Sequence, residues 1–221
     1  MTVTTITDTQ SAAFQSPAEF VYATALADDA LAVYQPFLGG RLGQFFDGSQ
    51  YTIYRLGVYF DMSGIPPGSI VSAAKIIINV FNIRQDLTDY AIQVQNGQPT
   101  YPHNPAVDND MDEGHYTGDG GQSVLASVMI AGDIDIPLNA TGIGWLNLGG
   151  LTKFMIRSTA DIGASPPNNQ EWLDYWGPTH DVGQEVRLEV TWTGGPTGPV
   201  REPALKKPLY ARPISGIKPL G

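Results

Sequence analysis

Apolar side chains recur along this chain with a period of two, and that alternation is the mark of half-buried β-strands. In Tyr51–Asp61, Thr52, Tyr54, Leu56, Val58 and Phe60 fall on one face. The other face, Tyr51, Ile53, Arg55, Gly57 and Tyr59, is only half polar, so both faces of this strand are expected to be covered. Ser63-Gly-Ile-Pro-Pro-Gly68 follows as a tight turn, because Pro fixes φ and Gly accepts positive φ. Ile70–Ile83 is predicted as a long strand with Ile76, Ile78 and Val80 on one face. Further strands are predicted at Thr2–Ile6 (an edge strand), Tyr90–Gln95, Val124–Ile136, Leu151–Ser158 and Val186–Thr193. Thr152 and Arg157 are expected to face outward.

Between these runs the pattern weakens. Phe20–Pro36 fits either a short helix or strands broken by a turn at Asp28-Asp29. Leu38–Asp47 is punctuated by glycine and reads as loop. So do the polar stretch 96–121 and the aromatic-rich stretch Asp161–Asp181. About eight strands separated by turn signals predict an all-β, two-sheet antiparallel sandwich of the jelly-roll kind. It would occupy residues 1–194, with 195–221 as an extended C-terminal arm.

Composition agrees with that class. Charged residues make up 15% of the 221-residue chain, against roughly 25% in an average globular protein. There is no cysteine, which excludes disulfides, thiolate metal sites and cysteine nucleophiles. No apolar run reaches membrane-spanning length. The first residues carry neither a basic nor an apolar signal-peptide region, so the expectation is a chain without one.

Charge is divided unevenly. Residues 1–195 carry a net −14 and residues 196–221 a net +4. The acidic body should repel nucleic acid. The arm has Pro at 196, 199, 203, 208, 213 and 219, a spacing that favours extended polyproline-II chain over helix. Apolar residues recur between these prolines, which a passive linker would not need. Arg201, Lys206, Lys207, Tyr210, Arg212 and Lys218 are therefore the residues expected to anchor it to a neighbouring subunit or shell.

The candidate chemistry lies in the predicted loops. Asp108, Asp110, Asp112 and Asp119 offer oxygen ligands of the type Ca²⁺ takes, but Glu113 occupies the position where an EF-hand requires Gly. A solvated acidic loop with no cofactor is the expectation. Asp133, Asp135, Asp161, Glu171 and Asp174 could supply a glycosidase carboxylate pair, which only spatial separation defines. In Glu171-Trp-Leu-Asp-Tyr-Trp176, Trp172, Tyr175 and Trp176 present flat apolar rings and Asp174 a hydrogen-bonding group, the combination that binds a sugar. The same side chains suit a subunit interface equally well.

The segment with Arg55, Phe60-Asp61, Ser63, Ile65-Pro66, Gly68, Ile70 and Ser72-Ala73 resembles the DNRLRE-type (disaggregatase-related) jelly-roll domains. The stretch Gly150–Ser158, then Asp161, Pro166-Pro167 and Glu185–Thr193, is similar to that family's last strands. The resemblance implies a non-catalytic module of the kind found in carbohydrate-binding units and in phage and virus structural proteins. With the basic arm, it makes a virion structural protein the leading expectation: a capsid decoration or fibre component at the virion surface. Its expected partners are its own copies in a homo-oligomer and other virion proteins, with cell-surface glycans as a further ligand and no membrane. A carbohydrate-binding module or adhesin subunit is the alternative.

Overall fold

The computed structural model describes residues 1–194 except 36, 87, 181 and 182. Eleven antiparallel strands join into one continuous sheet that folds over on itself. They are β1 Thr2–Thr7, β2 Ala12–Gln15, β3 Ala32–Tyr34, β4 Gly39–Phe46, β5 Tyr51–Asp61, β6 Ile70–Gln85, β7 Ile92–Gln95, β8 Gly132–Pro137, β9 Leu151–Ser158, β10 Gln170–Trp176 and β11 Arg187–Thr193. Short helices lie at Tyr22–Ala27 (α1), Ala140–Gly144 (α2) and Thr159–Ile162 (α3). Among the described residues no helix is long and apolar enough to cross a membrane.

Two long strands organise the molecule. β6 pairs with β11 over its first half and β10 over its second, with β8 along its other side. β5 pairs first with β4 and then with β9 on one side, and with β2 on the other. Leu56, Val58 and Phe60 of β5 meet Ile76, Ile78 and Val80 of β6 in one core, which Ile92, Val94, Phe154, Ile156, Leu188 and Val190 complete. Each of these apolar side chains contributes roughly 1.5–3 kcal/mol by leaving water. The result is sandwich-like, as the alternation predicts.

The half-polar face of β5 is also covered. Ile53 and Tyr59 pack with Phe14, Met155, Ala25 and Leu26 of α1, and Met111 and Tyr116 of the 96–121 segment. That segment is thus a lid on the second face of β5, with two short 3-10 turns at Asp108–Met111 and Glu113–His115.

Several expectations are corrected. Leu38–Asp47 is not loop: β4 runs through it, between β10 and β5. Its glycines serve close approach rather than turning. A Cβ on Gly43, whose φ is +133°, would lie 2.2 Å from the Glu171 carbonyl oxygen across the ladder. Asp161–Asp181 likewise contains a central strand, β10. Only the end of the expected strand Val124–Ile136 pairs, as β8, while Ala126–Val128 forms a 3-10 turn. Thr152 and Arg157 face inward and are buried. For Phe20–Pro36 both readings hold, a helix (α1) followed by a strand (β3).

Candidate functional site

β10 is a strand because Glu171–Trp176 alternates bulky residues on both faces. Glu171, Leu173 and Tyr175 point inward; Trp172, Asp174 and Trp176 share the outer face. Opposite them on β4 lie Gly43, Arg41 and Gly39. Arg84 and Asn82 lie on β6, where a bulge after Asp174 shifts the register.

The outer face is knit together. The Arg41 guanidinium lies 4.6 Å from the Trp172 ring centroid and 5.6 Å from that of Tyr54, cation–π contacts. Its Nε donates to Asp174 Oδ1 at 3.2 Å, and Asn82 Nδ2 donates to Asp174 Oδ2 at 2.6 Å. Trp176 stacks between Phe81 at 4.1 Å and His180 at 3.8 Å. Beside this platform is a depression of about 200 Å³ lined by Tyr34, Tyr54, Arg41 and the bare backbone of Gly39 and Gly40.

The predicted sugar residues therefore separate. Tyr175 is wholly buried in the main core against Phe37 and presents no face to a ligand. Trp172 is nearly covered by Arg41 and Phe45. Trp176 and Asp174 keep partial exposure on the outer face. Sequence reasoning missed Arg41, Asn82, Phe81 and Tyr54, which reach the same face from other strands. The alternation in β10 was the available signal, since period two separates Tyr175 from the two tryptophans.

The acidic positions also separate. Asp110 is fully buried and accepts from the backbone N–H groups of His103 and Val107, at 3.0 and 2.9 Å, and faces the His103 ring nitrogen at 2.6 Å. Asp112 accepts from Gly114 N, and Asp119 from Gly121 N and the Asn139 amide. Asp108 is exposed. Among the described residues, no group of three or more His, Cys, Asp or Glu side chains converges to hold a metal ion. Asp110 and Asp112 brace the 96–121 segment internally, and Asp119 ties its end to Asn139 at the start of α2.

The carboxylates considered for glycoside chemistry are each engaged. Asp161 is buried between two guanidiniums: Arg55 donates from Nε at 2.9 Å and Nη2 at 2.7 Å, and Arg157 from Nε and Nη2 at 2.8 Å each. Burial alone would push this carboxyl up, but the two cations outweigh it and hold it well below the usual range. Arg157 also reaches Gln95 and Glu113, and Arg55 reaches the carbonyls of Met111 and Leu26. Asp133 pairs with Arg187 and Asn79, Asp135 with Lys75, and Glu171 accepts from Gln44.

The anchoring residues Arg201, Lys206, Lys207, Tyr210, Arg212 and Lys218 lie outside the described residues. The chain matches no family model, and no curated protein matches it.

Proposed function

We propose that this chain is a non-enzymatic structural protein of a virion, a capsid decoration or fibre component, whose jelly-roll body displays its loops while the basic arm anchors it. One observation carries this reading: three sheet edges are lined with exposed apolar side chains. Among the described residues β1, β3 and β8 each pair on one side only. Met1 and Val3 lie at the first edge, Leu31, Tyr34 and Leu38 at the second, and Val124, Leu125, Val128 and Ile130 beside the third, all exposed. Monomers blunt such edges with charge or cover, whereas assembly subunits use them. The resemblance of residues 55–80 and 150–193 to jelly-roll modules of virus structural proteins points the same way.

The test is sedimentation of the full chain, followed by co-sedimentation with particles from its source. A closed oligomer is expected, and the double change Val128→Lys with Ile130→Lys should dissociate it. A wild-type chain that stays monomeric and never accompanies particles overturns the reading.

A second reading, a carbohydrate-binding module, is favoured by the exposed Phe81 ring, backed by Trp176, beside Asp174, Asn82 and Arg41. It requires retardation in polysaccharide-containing gels that Trp176→Ala abolishes. Normal migration on a broad glycan panel would dismiss it.

A further inference from the structure

We propose that the depression between β4 and the β2–β3 pair is the seat for the proline-rich arm of a second copy of this chain. The proposal rests on the reading of the arm as an anchor and names its receptor.

The seat is concave and built for an extended, donor-poor segment. β4 pairs with β10 along Gly39–Phe45, but its pairing with β5 covers only Gly43–Phe46. The side of Gly39–Leu42 turned from β10 therefore has no strand partner among the described residues. Across from it stand Ala13, Phe14 and Gln15 of β2 and Tyr34 of β3, with Tyr54 and Arg41 closing the pocket. Tyr34, 55% exposed, also lines a second hollow with Phe37, Leu38 and Thr179. Tyr34 and Gly39 line both hollows, which lie side by side as a groove with Tyr34 as its exposed aromatic wall. Aromatic-walled grooves of this kind take polyproline-II segments, whose rings pack between the aromatics without needing backbone donors.

The chain carries a matching ligand. Pro196-Thr-Gly-Pro199 is the one place in the arm where two prolines are three residues apart. Three residues make one polyproline-II turn, so in that conformation both rings would share one ridge. Arg201, Lys206 and Lys207 follow. The groove's own cation, Arg41, is paired with Asp174, and the flanking residues 1–40 and 96–121 carry nine acids, of which Asp8 and Asp110 are buried, and no Lys or Arg. Asp29 and Asp108 are exposed next to the start of β3, where Ala30 N donates to the Asp108 carbonyl.

Reach decides that the donor is another copy. Thr193 pairs with Ile70, whereas the groove lies level with Val80, which pairs with Tyr175, itself opposite Gly40. Ten residues of β6 separate the two, about 33 Å of strand. From Thr193 to Pro199 the chain extends about 20 Å at most. The Pro196–Pro199 ridge thus falls short of its own groove, and a neighbour must provide it.

The experiment places a photoreactive phenylalanine analogue at Val200 of the full chain, in an equal mixture of ¹⁴N- and ¹⁵N-labelled protein. Irradiation should give hybrid light–heavy pairs, with mass spectrometry locating the link at residues 13–15, 34, 39–41 or 54. Tyr34→Ala, at an exposed side chain and with unchanged far-UV circular dichroism, should cut the yield about tenfold. Links confined to single chains overturn the exchange. Hybrid links at another surface overturn the groove as receptor while leaving arm-mediated assembly standing. A monomeric chain giving no hybrid product overturns both.

Discussion

At the scale of single residues, two buried aspartates govern the response to pH with opposite signs. Asp161 is held below its ordinary pKa by Arg55 and Arg157, so it contributes stability that is complete above about pH 4 and lost as acid protonates it. Asp161→Asn should leave two guanidiniums buried without their anion and cost about 3–5 kcal/mol, read from the urea midpoint at neutral pH. Asp8 behaves in reverse. Burial raises it from 3.8 to about 7, against the hydrogen bonds it accepts from the backbone N–H groups of Tyr59 and Gln10. Its folded form holds a proton that the unfolded chain releases near pH 4, so stability falls as pH rises from about 4 to 7. Asp8→Asn should flatten that slope, and it should also lower stability at pH 4, because its amide nitrogen replaces one of the two oxygens that accept from Tyr59 N and Gln10 N. A denaturation series at pH 4–8 in which variant and wild type run parallel would show that Asp8 is not the group responsible. The sequence announced Arg55, on a strand face too apolar to be open to water. It gave no hint of Asp161 as its partner, because the two lie 106 positions apart and meet only when β5 and β9 pair.

At the scale of elements, β4 and β10 depend on backbones that approach closely. Gly43→Ala would place a methyl 2.2 Å from the Glu171 carbonyl oxygen and 2.8 Å from the Trp172 Cα, in a region of φ that side chains avoid. We expect it to cost at least about 3 kcal/mol, or to prevent folding. Gly48→Ala is the control: φ is also positive, at +100°, but nothing lies within 4 Å. It should cost about 1 kcal/mol. Equal losses in melting temperature for the two would mean that contact with β10 does not matter. The same chemistry explains why the sequence of β4 reads as loop. Glycine is scored as punctuation when only the chain itself is in view, whereas here it is required by a neighbour 128 residues away. β10 was hidden for a different reason. Bulky residues on both faces erase a simple apolar–polar alternation, although the strand remains legible once Arg41, Asp174 and Asn82 show its outer side to be a packed polar–aromatic layer.

At the scale of the whole molecule, the two cores lie on opposite faces of β5 and share that strand, so neither can open alone. Unfolding of the full chain should be a single transition, with tryptophan fluorescence and far-UV circular dichroism giving coincident curves. Separate midpoints would show the segment 96–121 and α1 unfolding from the sheet as an independent unit. By itself the sequence determined the class of the fold, the long strands β5, β6, β9 and β11 and the turn between the first two, because period-two burial and proline–glycine turn chemistry are local. It also determined the contrast between an acidic stretch, residues 1–195, and a basic, proline-rich stretch, residues 196–221. Only the tertiary structure decided which loops were strands and which acids were structural fastenings. It also decided which of Trp172, Asp174, Tyr175 and Trp176 face outward together. Those outcomes depend on strand pairing between residues far apart in sequence, and pairing fixes both the free edges and the aromatic groove beside Gly39 and Gly40.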